Sequence, residues 1–184
     1  YMVRLLDIIL AFFSLVFLSP LIIILYLLIF LENNSPLFYQ VRVGKNLNQF
    51  TLIKFRTMKI GTESCATHLV DSTKITKIGR ILRKTKLDEI PQLLNVLKGD
   101  MSFVGPRPCL LNQIDLIKTR KQYNLFRYTP GITGLSQIKG IDMSNPVLLS
   151  KTDDKMMRNF SLFKYFYYIG LTLLGSGFGD RVSN

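Results

Sequence analysis

Residues 8–31 form a run of 24 positions without one charged side chain. At 1.5 Å per residue a helix of that length reaches about 36 Å, enough to cross the hydrocarbon core of a bilayer. Ser19-Pro20 falls in the middle of the run. Proline lacks an N–H and its ring crowds the carbonyl one turn back, so a kink or break is expected there, eased by the Ser19 hydroxyl bonding a freed carbonyl. Arg4 and Asp7 on one flank, and Glu32, Arg42 and Lys45 on the other, suit a polar interface. The residues alone leave two topologies open: a kinked span, and a helix-break-helix hairpin that enters and leaves by one face.

Downstream the periodicity changes. Residues 37–43 and 50–55 read as short strands joined by a Gly44-Lys45-Asn46 turn. In 75–84, apolar residues at 75, 78, 81 and 82 have helical spacing, with Lys and Arg between them. Residues 92–98 continue as a short helix stopped by Gly99-Asp100, 104–108 as a rigid loop, 112–127 as an amphipathic helix and 130–134 as a turn. The apolar, aromatic-rich stretch 160–174 carries one charge, Lys164. At about 22 Å it is too short to span, which leaves an interfacial helix or a core helix. The pattern predicts a mainly helical α+β chain: a membrane helix over 1–33, then a small globular domain over 34–184 with a hairpin and interfacial amphipathic helices.

Composition adds a partner class. Lys and Arg number 24 against 12 Asp and Glu, a net charge of +12, which points to a polyanion: nucleic acid, an anionic membrane surface or phosphorylated substrates. Nucleic acid fits poorly, because the basic stretch 54–86 has few aromatics to stack bases and no finger or RNP signature occurs. Cys65 and Cys109 stand alone and far apart, which excludes a Cys/His zinc site and fits a reducing, cytosol-facing location. His68 is the only histidine, so triad chemistry would rest wholly on it. Glycine-rich nucleotide motifs of the Rossmann and P-loop kinds are absent.

Asp88-Glu89 are the first acids after a cationic run ending Arg80, Arg83, Lys84, Lys86. Asp88 can be read as a helix N-cap, with Pro91 in the first turn. The same geometry makes a phosphate site, since a helix start offers free N–H groups and partial positive charge, reinforced here by Arg80 and Arg83. Glu89 is then a candidate Mg²⁺ ligand, because that cation takes one or two carboxylates plus substrate phosphates. An ionised Asp88 is a candidate nucleophile toward phosphorus. The competing reading is a non-catalytic, membrane-tethered basic module that binds anionic lipid or assembly partners.

Lys54-Phe55-Arg56-Thr57-Met58, the 22-residue block from Leu87-Asp88-Glu89-Ile90-Pro91 through Val104-Gly105-Pro106-Arg107-Pro108, and Pro130-Gly131-Ile132-Thr133-Gly134 resemble the bacterial sugar transferases, the small monotopic phosphoglycosyl transferases. The resemblance implies a re-entrant N-terminal helix broken at Ser19 and Pro20, lying at the cytoplasmic face of the inner membrane. It implies that Asp88 attacks the β-phosphate of a UDP-sugar and expels UMP, and that undecaprenyl phosphate then takes the sugar phosphate, a first membrane step of polysaccharide or glycoconjugate synthesis. Glu89 matches the Mg²⁺-binding member of the dyad. Lys54, Arg56, Arg80, Arg83, Pro106, Arg107, Pro108, Thr133 and Asp153 fall among the implied substrate-binding positions, with Asp154 an equal match to the last. UDP-sugar, polyprenyl phosphate and membrane lipid are the implied partners, with a homodimer left open and nucleic acid excluded. Thr129 and Ile141 stand where many relatives carry arginine.

Overall fold

The structure, a computed structural model, describes residues 2–62 and 72–176; Cys65 and His68 lie outside them. The chain divides into two compact units. The described residues of the first are 2–40, 51–62 and 72–98, and those of the second are 41–50 and 99–176. The N-terminal helix therefore does not stand apart at residue 33 but packs as part of the first unit.

In that unit, α1 (Met2–Asn33) is one helix of 32 residues with Pro20 inside it. The expected break at Ser19 and Pro20 is not a break in helical geometry. A proline at position 20 strips the Val16 carbonyl of its ordinary donor, and Ser19 Oγ donates to that same carbonyl at 2.8 Å. The hydroxyl thus supplies the bond that proline withholds. Only Asp7, Ala11, Leu25 and Ile29 of α1 are buried, toward its two ends, while Phe12, Phe13, Val16 and Phe17 between them are bare. The helix is long and apolar enough to cross a membrane.

Strands β1 (Leu37–Val43) and β2 (Gln49–Phe55) pair as the expected hairpin. Helix α2 (Lys77–Thr85) starts where Thr76 Oγ1 accepts from Gly79 N and stops at Lys86 in the left-handed region (φ 59°). A 3-10 turn, Leu87–Glu89, leads into α3 (Gln92–Lys98). Leu25, Ile29, Phe55 and Leu82 form the core of this unit, with Leu87 and Ile90 packed against it. Burial of those side chains anchors the C-terminal end of α1 and seats the turn. Arg4 and Asp7, expected at a membrane interface, are instead drawn into protein. The Arg4 guanidinium donates to the Val96 and Leu97 carbonyls at the end of α3, where a cation offsets the helix dipole, and Asp7 is 3% exposed.

The second unit holds β3 (Ser102–Val104), α4 (Ile114–Gln122), β4 (Gly131–Thr133), α5 (Leu135–Ile138), α6 (Pro146–Arg158) and α7 (Leu162–Leu173). Its core gathers Val43, Cys109, Leu116 and Leu149, with Ile117, Phe126, Ile141 and Met143 around them. Four details depart from the sequence expectations. Val104 belongs to a strand, and 130–134 is more than a turn: β3 and β4 pair in parallel, Ser102 with Gly131 and Val104 with Thr133. The helix expected over 112–127 ends at Gln122, and Asn124 in the left-handed region (φ 53°) starts a separate 3-10 turn, Leu125–Arg127. Helix α6 was not expected at all. Helix α7 joins both readings of its stretch, burying Tyr165 and Tyr168 while Phe163, Phe166 and Tyr167 face outward.

Candidate active site

Asp88 sits second in the Leu87–Glu89 turn, whose own N-cap is Lys86, and so lies one turn ahead of α3. The turn is closed by Glu89 N donating to Lys86 O at 3.1 Å and Ile90 N to Leu87 O at 3.3 Å. Asp88 is buried, with 8% of its surface exposed. Beside it, Lys54 Nζ donates to Glu89 Oε1 at 2.8 Å, and both side chains are largely shielded. A largely shielded pair of this kind fixes both partners in place.

Asn95, which sequence reasoning passed over, sets the dyad's distance from the hairpin. It is fully buried; its Oδ1 accepts from Ile53 N at 3.0 Å and its Nδ2 donates to Thr51 O at 2.7 Å. These two bonds tie α3 to β2, and Lys54 follows Ile53 directly. An asparagine inside an otherwise apolar run (Leu93-Leu94-Asn95-Val96-Leu97) was the available signal.

The other expected cations of this unit divide. Arg83 Nε donates to Thr57 Oγ1 at 2.8 Å, and its Nη1 is buried with no hydrogen-bond partner. A buried guanidinium N–H without an acceptor is costly, which makes Arg83 the cation here best suited to a phosphate oxygen. Arg80 is exposed on the same helix. Arg56 is spent on structure: its Nε and Nη2 donate to the Ser35 and Leu37 carbonyls at 2.9 and 3.1 Å, and it lies over the Phe38 ring. These bonds hold the start of the hairpin.

In the second unit, Pro106, Arg107 and Pro108 form a loop whose three carbonyls are all occupied. Gly131 N donates to Pro106 O at 3.0 Å, Arg120 Nη1 to Arg107 O at 2.5 Å, and Arg42 Nη1 to Pro108 O at 3.1 Å. Gly131 is required, because a Cβ there would stand 2.0 Å from Gly105 N. A small open depression is bordered by Pro106, Pro108 and Arg120, with Phe126 and Tyr128 in its wall. Thr133 is 4% exposed, and its hydroxyl lies 2.5 Å from that of Thr172. Thr172 already donates to Tyr168 O at 2.9 Å, so the shared proton comes from Thr133. That proton is committed to α7 and is not available to a ligand.

Asp153 is fully buried, accepting from Arg120 Nη2 at 2.9 Å and Ser136 Oγ at 2.6 Å. Burial raises its carboxyl above the ordinary range, opposed by the Arg120 charge and the Ser136 bond. Asp154, one residue on, pairs at the surface with Arg158 at 2.8 Å. Burial likewise raises the Cys109 thiol, which suits an inert core filler. Ile141 packs against the apolar core.

A divalent cation is compatible with the dyad. Among the described residues no group of three or more His, Cys, Asp or Glu surrounds a common point, but two adjacent carboxylates on one turn are a hard-oxygen set. Mg²⁺ accepts such a set when substrate phosphates and water complete its shell.

Comparison with known proteins places this arrangement. The family model described as "Bacterial sugar transferase" matches residues 1–176. The chain is 46% identical to the uncharacterized sugar transferase EpsL of Bacillus subtilis over 138 residues, 74% of this chain and 68% of that one. It is 40% identical over 144 residues to the UDP-glucose:undecaprenyl-phosphate glucose-1-phosphate transferase of Caulobacter vibrioides, covering 75% of this chain and 54% of that one. With the UDP-N-acetylgalactosamine-undecaprenyl-phosphate N-acetylgalactosaminephosphotransferase of Aeromonas hydrophila it shares 33% over 185 residues, 95% of this chain but 44% of the relative. The chain thus spans about half the length of the two relatives whose names state a reaction. With a match over nearly its whole length, the chain belongs to the bacterial sugar transferase family.

Proposed function

We propose that this chain is a phosphoglycosyl transferase that moves a sugar 1-phosphate from a UDP-sugar to undecaprenyl phosphate through a covalent bond to Asp88. The observation that carries the reading is Asp88 itself: a buried acid on a short turn, next in the chain to the shielded Lys54–Glu89 pair. The names of relatives supply the substrate class, since those from Caulobacter and Aeromonas are undecaprenyl-phosphate sugar phosphotransferases.

In the first half-reaction an Asp88 oxygen attacks the β-phosphorus, the bond to the bridging oxygen breaks, and UMP leaves with that oxygen. In the second, a phosphate oxygen of the lipid attacks the same phosphorus and returns Asp88 as a carboxylate. Each step exchanges one activated phosphate bond for another, so the protein's task is positioning and charge neutralisation. Lys54 holds Glu89 in place, and Arg83 has the uncommitted N–H to meet a phosphate oxygen. Asp88 and Glu89 would hold a magnesium ion, which when bound supplies further neutralisation of phosphate charge.

Helix α1 supports residence at a membrane. Its bare middle suits lipid, and its two ends return to one unit, Arg4 through α3 and Ile29 through the apolar core. That arrangement favours a re-entrant helix with the globular part on the cytoplasmic face of the inner membrane.

The test is incubation of the full chain in lipid nanodiscs with UDP-sugars and Mg²⁺, reading UMP release and a sugar-phosphate mass adduct on Asp88. Asp88→Asn should remove both while leaving the thermal unfolding temperature nearly unchanged. Turnover retained by that variant would refute the covalent route. UMP release from no donor, alongside binding to anionic lipid, would favour the tethered-module alternative.

A further inference from the structure

The Pro106–Pro108 loop is gripped by side chains that no motif singles out. Arg120 and Arg42 are 2% and 9% exposed, and they take consecutive carbonyls of the loop, Arg107 O and Pro108 O. Arg120 is itself held: its other Nη reaches Asp153, and Asp153 in turn is bonded by Ser136. These residues come from α4, α5 and α6, so three helices converge on one peptide unit of the loop. Stability gives little reason for the arrangement. Burying an ion pair costs the desolvation of each charge, and an apolar replacement of similar size commonly does as well. The Arg120 Nε remains buried without an acceptor, a further cost. What the network does supply is a fixed backbone: with all three carbonyls bonded and no N–H on either proline, the loop has little freedom to shift.

We propose that Arg120, oriented by Asp153 and Ser136, is a positioning residue for donor binding: it fixes the Arg107 carbonyl and so the placement of Arg107, while Arg42 fixes the residue after it. The inference rests on the reading that this loop contacts the nucleotide-sugar donor. Specificity of position explains why two arginines are buried here although neither has a reacting group to touch.

The experiment uses the full chain in nanodiscs and measures donor KM, kcat, unfolding temperature and the Kd of UMP by calorimetry, for R107A, R120K, S136A and the R107A/R120K double variant. R120K keeps the charge opposite Asp153 but cannot fork to both Asp153 and the Arg107 carbonyl. It should raise donor KM and UMP Kd about tenfold, the size expected for one lost charge-assisted bond, with kcat and acceptor KM within about twofold. S136A, which loosens Asp153 and leaves both arginines, should move the same constants by a smaller factor. The double variant should bind no worse than R107A alone, because Arg120 acts through Arg107. Lowered kcat and unfolding temperature with donor KM and UMP Kd unchanged in R120K and S136A would overturn the proposal, as would factors that multiply in the double variant. R107A leaving both binding constants unchanged would instead overturn the donor-loop reading, and the positioning role with it.

Discussion

Replacing Asn95 with alanine removes in one step both bonds that tie α3, the helix following the dyad, to the hairpin. The two losses differ in cost. Ile53 is 7% exposed, so its amide, which now donates to Asn95 Oδ1 at 3.0 Å, becomes a buried donor without a partner, worth about 1–3 kcal/mol. Thr51 is exposed, so its carbonyl recovers water and forfeits only about 1 kcal/mol. The space left by the amide adds about 1 kcal/mol more. Together these give roughly 3–5 kcal/mol, or a fall in unfolding temperature of roughly 10 °C for a chain of this length.

Asn95→Asp separates the two bonds. The carboxyl keeps an acceptor for Ile53, but when ionised it has no proton for Thr51 and carries a buried charge. Burial raises such a group's folded-state value above its unfolded one. By linkage the variant is therefore most stable at low pH, where the acid can donate again, and loses stability as pH rises through that raised value. Thermal unfolding across pH 4–8 in nanodiscs, with hydrogen exchange at the Ile53 amide as the local reader, checks both variants. UMP release should fall mainly in kcat, because α3 begins three residues after Glu89. An alanine variant that unfolds within about 1 °C of the parent, with Ile53 equally protected, would refute the staple.

Two further outcomes follow from the second unit. Asp153 has a raised carboxyl value, so its contribution to stability is complete below the ordinary carboxylate range and is lost as pH rises through the raised value; the unfolding temperature of the parent should decline over that interval relative to D153N, which has no such titration, and parallel curves would contradict it. Gly131→Ala would set a Cβ 2.0 Å from Gly105 N and 2.7 Å from Thr133 O, prising β3 from β4, with an expected loss of about 3 kcal/mol in chemical denaturation and a parallel loss of turnover.

The elements legible in the sequence were those whose pattern is made by one physical cause. The hairpin announced itself through two β-rich runs about a Gly-Lys-Asn turn, and β1 and β2 fell within a residue of expectation. Helices α2 and α3 were set by apolar spacing and by the stop at Gly99-Asp100. Helix α6 was invisible to the same method because its buried face, Leu149, Ser150, Asp153, Asp154 and Met156, is mostly polar. Asn145-Pro146 was the surviving signal, and Asn145 Oδ1 does accept from Leu148 N at 3.1 Å as an N-cap. The parallel pairing of β3 with β4 lay beyond reach for another reason: strands of three residues carry no period, and their partners are 29 residues apart along the chain.

The candidate site divides along the same line. The sequence displays Asp88, Glu89 and Lys54 as acids and a base, and the structure brings Lys54 onto Glu89. Arg56, Thr133 and Asp153 are the same kinds of residue, and each bonds protein: Arg56 to Ser35 and Leu37, Thr133 to Thr172, Asp153 to Arg120 and Ser136. The polar groups that sequence reasoning passed over, Arg42, Asn95, Arg120 and Ser136, sit on β1, α3, α4 and α5. Residue type alone cannot separate a polar group that meets a ligand from one that holds the frame, because both roles require the same atoms. One physical difference is a buried donor without a protein acceptor, which occurs at Arg83 Nη1 and at Arg120 Nε, whereas Asp153 accepts from Arg120 and Ser136.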